Sequence, residues 1–141
     1  MVCIMVKDPS RPLRVVLVDD SALMRQRLST LLGSLPSVAV AGTAGDVPGA
    51  IALVDALHPD LVVLDVELEN GGKGIDVLEH VVQRYSDMQV IALSNYTWQA
   101  MRDAYLAAGA KAFFDKALEF EQARQWVAEL STSRHPPSHN P

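Results

Sequence analysis

Three stretches of the chain are apolar without interruption: Val15-Val16-Leu17-Val18, Leu61-Val62-Val63-Leu64 and Val90-Ile91-Ala92-Leu93. β-Branched residues are frequent in them and polar residues do not alternate, the pattern of strands covered on both faces of a parallel sheet. Between the runs the apolar period changes. Met24, Leu28, Leu31 and Leu35, then Ile51, Val54 and Leu57, then Leu78, Val81 and Tyr85, recur at the spacing of one helix face. Trp98, Met101 and Tyr105 form a fourth such stripe, and Phe120, Ala123, Val127 and Leu130 a fifth. Val38 to Ala41 and the shorter Ala112 to Phe114 supply two more strands.

The punctuation agrees with this division. Gly33 and Pro36 close the first helix, Pro48 suits the first turn of the second, Pro59 ends it, and Gly109 suits the stop of the fourth. Five successive strand–helix units predict an α/β fold: a doubly wound, five-stranded parallel sheet with right-handed crossovers and the flavodoxin-like order 2-1-3-4-5. In that order ligands bind at the carboxyl ends of the strands, beside the switch point between the first and third. The expected boundaries are a loose arm over residues 1–12, a folded unit over 13–130, and a disordered tail rich in Ser, Pro and His over 131–141.

Composition narrows the function classes. A length of 141 residues, 49% apolar and 21% charged, suits one domain with a sizeable core. Twelve basic residues against 17 acidic ones leave a net charge of −5, which argues against a surface that neutralises nucleic acid or anionic lipid. Cys3 is the single cysteine, so no internal disulfide forms, and the apolar stretch Met1 to Val6 is too short for a signal-peptide core or a membrane span. A cytoplasmic protein is expected, with no nucleic-acid or membrane partner. His58, His80, His135 and His139 lack metal-site spacing and read as solvated. Gly71-Gly72-Lys73-Gly74 lacks the P-loop pattern, and no dinucleotide fingerprint follows the first strand.

The chemistry gathers at the strand ends. Asp19-Asp20 ends the first predicted strand and Asp65 the third. Close carboxylates repel by about 4 kcal/mol per pair at an effective dielectric of 20, so the cluster takes up either protons or a cation. An all-oxygen set with room for water suits Mg²⁺. Ser94 ends the fourth strand and Lys116 follows the fifth. A carboxylate nucleophile, a hydroxyl and an ammonium are what phosphoryl transfer to an aspartate asks for. Taken singly, the acidic pair reads as a helix cap, the serine as a loop hydroxyl and the lysine as a solvated charge; their joint placement carries the functional reading.

Four segments, Val-Leu-Val-Asp19-Asp20-Ser, Val-Val-Leu-Asp65, Ala-Leu-Ser94 and Gly-Ala-Lys-Ala-Phe113-Phe114-Asp115-Lys116, stand at the separations seen in one family. Over about Leu13 to Leu130 the chain resembles the receiver domain of response regulators in two-component signalling, of the stand-alone type. The resemblance implies that Asp65 is the phosphoacceptor, served by a histidine kinase or histidine phosphotransfer protein. It implies that Asp20 ligates Mg²⁺ directly, Asp19 largely through water, and the Glu67 backbone carbonyl as well. Ser94 would hydrogen-bond the phosphoryl group, Lys116 would pair with it, and Phe113 would be the switch aromatic. Drawing Ser94 toward the phosphoryl group would turn the aromatic inward. This would change the face of the fourth helix, fifth strand and fifth helix, for a downstream protein target or a phosphorylation-dependent homodimer. No enzymatic activity is expected beyond the domain's own phosphoryl transfer and autodephosphorylation. The stretch after Leu130 is too short for an output domain, which points to output by protein contact.

The chain departs from the family pattern in places. Glu69 stands where proline is frequent, and the loop to Gly74 is one residue longer than the common form. Ala117 replaces the proline that often follows the lysine, which removes the usual cause of a cis peptide there. Glu67 and Tyr96 are bulky residues beside the path of attacking water and are expected to alter dephosphorylation. Three other readings compete: a phosphorylation-independent interaction module, against which the intact acid set and lysine speak; a receiver cut from a longer regulator; and a hydrolase of the haloacid-dehalogenase kind, whose Asp-x-Asp spacing Asp19-Asp20-Ser21 lacks.

Overall fold

A computed structural model describes residues 11–68, 71–96 and 98–137. The readings made for Cys3, most of the N-terminal arm, Glu69 and His139 lie outside these residues. The apolar runs form β1 (Leu13–Val18), β2 (Val38–Ala44), β3 (Leu61–Asp65), β4 (Gln89–Ser94) and β5 (Ala112–Asp115). They alternate with α1 (Ala22–Gly33), α2 (Val47–Leu57), α3 (Gly74–Arg84), α4 (Gln99–Ala107) and α5 (Phe120–Ser133). The strands are parallel and hydrogen-bond in the order β2-β1-β3-β4-β5, the predicted doubly wound topology.

Strand periodicity explains why β1, β3 and β4 read as continuous apolar runs. Val15, Leu17, Val63, Ile91 and Leu93 pack on one face with Leu28 and Leu32 of α1 and Trp126, Val127 and Leu130 of α5. Val16, Val18, Val62, Leu64, Val90 and Ala92 pack on the other with Val54 of α2 and Val77, Leu78 and Val81 of α3. Successive residues point to opposite faces, and both faces are covered. Each fully buried Val, Leu or Ile contributes about 1.5–3 kcal/mol through removal from water. β5 divides its two phenylalanines in the same way: Phe114 joins the α1/α5 layer and Phe113 the opposite one.

Local chemistry sets the helix ends. Ser21 Oγ accepts the Met24 N–H at 3.2 Å to start α1. Asp46 Oδ1 accepts the Gly49 N–H at 2.7 Å to start α2, with Pro48 in its first turn. After α4, Gly109 takes φ of 118°, a left-handed conformation that favours glycine.

Three expectations need correction. Trp98 precedes α4 and is 67% exposed, so the buried side of α4 is carried by Tyr105 with Met101 half-buried. The disordered tail does not begin at Ser131: α5 runs on to Ser133 with Ser131 buried, and the hydroxyls of Ser131, Thr132 and Ser133 donate to carbonyls one turn back. That back-bonding suits a Ser/Thr-rich helix end. His80 is not a solvated side chain either. Its Nε2 lies 2.8 Å from Asp55 Oδ1, to which the Tyr85 hydroxyl donates at 2.5 Å, and the His58 ring meets Tyr85 edge-on at 5.0 Å. These contacts tie α2 to α3, and the hydrogen bonds from His80 and Tyr85 hold the Asp55 carboxyl below its ordinary range.

Candidate functional site

The sheet's backbone ladder runs past the strands and fixes the site residues. Asp19 donates its N–H to the Ala44 carbonyl at 3.0 Å, Val66 to Leu93 at 3.1 Å, and Lys116 to Ser94 at 2.8 Å. Asp65 is the last residue of β3, opposite Leu93, and Ser94 stands opposite Asp115. Order 2-1-3-4-5 places β1 beside β3, which brings the first two acids against the third.

One carboxylate oxygen from each of Asp19, Asp20 and Asp65 lies within 4.8 Å of the others. Asp19 is 1% exposed and Asp65 6%, while Asp20 faces solvent. The Lys116 ammonium, reaching from beyond β5, lies 2.6 Å from Asp19 Oδ2 and 3.2 Å from Asp65 Oδ1. Asp19 Oδ1 also accepts the Ser21 N–H at 2.9 Å, and the Arg25 guanidinium donates to the Asp19 carbonyl at 2.5 Å.

Burial pushes the Asp65 carboxyl up to about 6, outweighing the pull of Lys116, and the charge of Asp19 adds to the rise. For Lys116 burial acts downward, but the hydrogen bond to Asp19 and the charge of Asp65 overcome it and hold the ammonium above its ordinary value. Near neutral pH one ammonium therefore faces three carboxylates. Such a negative, oxygen-only pocket with one solvent-facing member fits a hard divalent cation.

Ser94 is buried at the end of β4. Its Oγ accepts the Tyr96 N–H at 2.9 Å, and its own proton meets only the Met101 sulfur, at 4.0 Å, among the described residues. Phe113 is fully buried. Its ring meets Tyr105 edge-on at 5.7 Å, and the Arg102 guanidinium carbon lies 5.7 Å from its centroid. Tyr105 in turn donates to the Val66 carbonyl at 3.4 Å, next to Asp65; burial pushes this phenol up to about 12. In the sequence Tyr105 stands only as a position in an apolar helical stripe, a packing or interface residue, because helix periodicity places a side chain on a face without naming what opposes it.

The two described ends of the loop after β3 pair with each other. Glu67 bridges Lys73 in antiparallel fashion, and Leu68 donates to the Gly72 carbonyl at 3.0 Å. Gly74 then begins α3 under Asp65: a Cβ there would sit 2.4 Å from the Asp65 carbonyl oxygen and 3.1 Å from the Tyr105 hydroxyl. Gly74→Ala is expected to cost about 1–3 kcal/mol or more, as overpacking does. Urea titration of the two chains checks it, and an unchanged midpoint would contradict the close approach. At the lysine, no cis peptide occurs among the described residues, in line with Ala117. Asp115 and Glu119 were not singled out from the sequence, although two acids flanking the start of an apolar helix are a recognisable capping signal.

Residues 15–128 match the family model described as the response regulator receiver domain. The DNA-binding transcriptional activator DevR/DosR of Mycobacterium tuberculosis is 38% identical over 122 residues, 86% of this chain and 55% of that protein. Protein-glutamate methylesterase/protein-glutamine glutaminase 2 of Koribacter versatilis is 38% identical over 102 residues, 72% of this chain and 28% of that protein. The chain thus spans about half the length of the first relative and under a third of the second. The response regulator domain of Thermotoga maritima CheB superposes with a TM-score of 0.76 at 31% identity, covering 90% of this chain and 100% of that one.

Proposed function

Because this chain belongs to the response regulator receiver family of two-component signalling, we propose that Asp65 accepts a phosphoryl group from a histidine kinase or histidine phosphotransfer protein. The observation that carries this reading is the convergence of three carboxylate oxygens within 4.8 Å, with Lys116 against two of the three residues. Asp19 and Asp20, with the Glu67 carbonyl, would hold Mg²⁺, which when bound neutralises charge on the phosphoryl oxygens.

The chain's own groups do the rest. The Asp65 carboxylate, ionised above about pH 6, forms its bond to phosphorus as the donor's bond breaks. Lys116, already 3.2 Å from the acceptor, stays to pair with the transferred group. Ser94 offers that group a proton that, among the described residues, meets only the Met101 thioether. Movement of Ser94 carries Tyr96 with it through their hydrogen bond, and the start of α4 follows. Phe113, buried against Tyr105 on α4, is the aromatic through which that movement would reach the α4–β5–α5 face. The α4–β5–α5 face then engages a downstream protein or a second copy of the chain.

The test is the intact mass of the chain after incubation with acetyl phosphate and Mg²⁺. One phosphoryl group on the Asp65 peptide, absent with chelator, is the expected result. A folded chain that gains no mass supports a phosphorylation-independent interaction module instead, and turnover of added phosphoesters supports a hydrolase. Tyr96 is exposed and stacked on Trp98 at 5.7 Å, two residues past Ser94, and we propose that it borders the path of water to this site. Tyr96→Ala is expected to shorten the phosphoryl half-life, and Glu67→Asn to change it; equal half-lives in both variants and the parent would refute this.

A further inference from the structure

Lys116 meets its two carboxylates from an exacting position, the first residue past an edge strand of four residues. The turn that carries it gains little from packing: Ala117 is exposed and Leu118 is 80% exposed. Nor does residue 117 supply the stiffness of a proline. Two buried or half-buried acids close the turn instead. Asp115 Oδ1 accepts the N–H groups of Ala117 at 2.7 Å and Leu118 at 3.0 Å. Glu119 Oε1 accepts the Asp115 N–H at 2.9 Å, and the Glu119 N–H donates to the Asp115 carbonyl at 2.9 Å. The four bonds form a reciprocal box around Lys116.

We infer that Asp115 and Glu119 are positioning residues for Lys116, a polar box that does in this chain what a proline at position 117 does by ring constraint. The two devices exclude each other, because proline has no N–H to give Asp115. Glu119 also extends the box to α4: its Oε1 lies 3.6 Å from the Arg102 guanidinium, which stands over Phe113. The turn that aims the lysine is therefore tied to the helix beside the buried aromatic. The catalytic purpose of this aim rests on the phosphoacceptor reading of Asp65; the aim itself does not.

Two measurements on the full chain separate these claims. The first is acylation of Lys116 by a succinimidyl acetate, followed by peptide mass spectrometry with the exposed Lys111 as internal reference. Asp115→Ala is expected to raise Lys116 reactivity roughly tenfold, the effect of losing about one net hydrogen bond. Asp115→Asn keeps the acceptor oxygen and is expected to stay near the parent. The second is the rate of labelling by acetyl phosphate, which should fall in Asp115→Ala, recover in Asp115→Asn, and fall no further when Asp115→Ala is added to Lys116→Met. Unchanged Lys116 reactivity in folded Asp115→Ala overturns the inference, and so does equal loss in Asp115→Asn, which would make the charge and not the box the cause. If Asp115→Ala does not fold, Glu119→Ala is read by the same two criteria. A parent chain that takes no phosphoryl group defeats the reading of Asp65 while the acylation result still decides the positioning.

Discussion

Asp65→Asn is expected to gain no mass from acetyl phosphate and, at pH 7.5 in chelator, to be more stable than the parent by about 1–3 kcal/mol. The first effect follows from the loss of the nucleophile. The second follows from where the nucleophile sits. The native state holds the Asp65 carboxyl at about 6, against an ordinary 3.8, so between those values the folded chain binds a proton that the unfolded chain has released. Stability therefore falls as pH rises from about 4 to about 6, and the penalty is complete above that range. A shift of roughly two units corresponds to about 3 kcal/mol at most. Asparagine carries no charge to desolvate, so its advantage should shrink as pH falls toward 4. Urea unfolding of both chains across this range checks it, and a less stable Asp65→Asn at pH 7.5 would show that Lys116 outweighs burial.

Lys116→Met carries the second large effect, a loss of about 3–5 kcal/mol at pH 7.5 without metal, the usual cost of stripping one partner from a buried ion pair. Asp19, 1% exposed and 2.6 Å from the ammonium, would be left as an uncompensated carboxylate with Asp65 close by. Two conditions should return much of the loss. Acidic pH lets one carboxyl take a proton, and Mg²⁺ supplies the missing charge, adding about 2.7 kcal/mol at a concentration 100 times its dissociation constant. Thermal melts of parent and variant in chelator and in Mg²⁺ measure both. If Mg²⁺ stabilises the two chains equally, the cation and the lysine are not answering the same charge.

The strands, the helices and the five candidate positions Asp19, Asp20, Asp65, Ser94 and Lys116 are legible in the chain because each rests on a local signal. A central parallel strand is apolar on both faces, and a polar residue at its carboxyl end stands out against that run. Tertiary partnership leaves no such trace. The wrong reading of His80 illustrates this: its spacing excludes a metal site, but only the packing of α2 on α3 brings Asp55 and Tyr85 to its ring. Trp98 had the helical period of Met101 and Tyr105, yet the helix begins one residue later and leaves it to solvent.

The three acids at neighbouring strand ends follow from the sequence once the strand order is accepted, because the order decides which ends are adjacent. The sequence also determined that no internal disulfide holds the fold, since Cys3 is alone. Only the tertiary structure decided how those charges are settled: Lys116 against Asp19 and Asp65, the Asp65 carboxyl raised by burial, and the turn after β5 closed by Asp115 and Glu119. The physical reason is one of range. Hydrophobic periodicity is a property of neighbouring residues, whereas the energy of a buried charge depends on atoms that the chain brings together from 97 residues away.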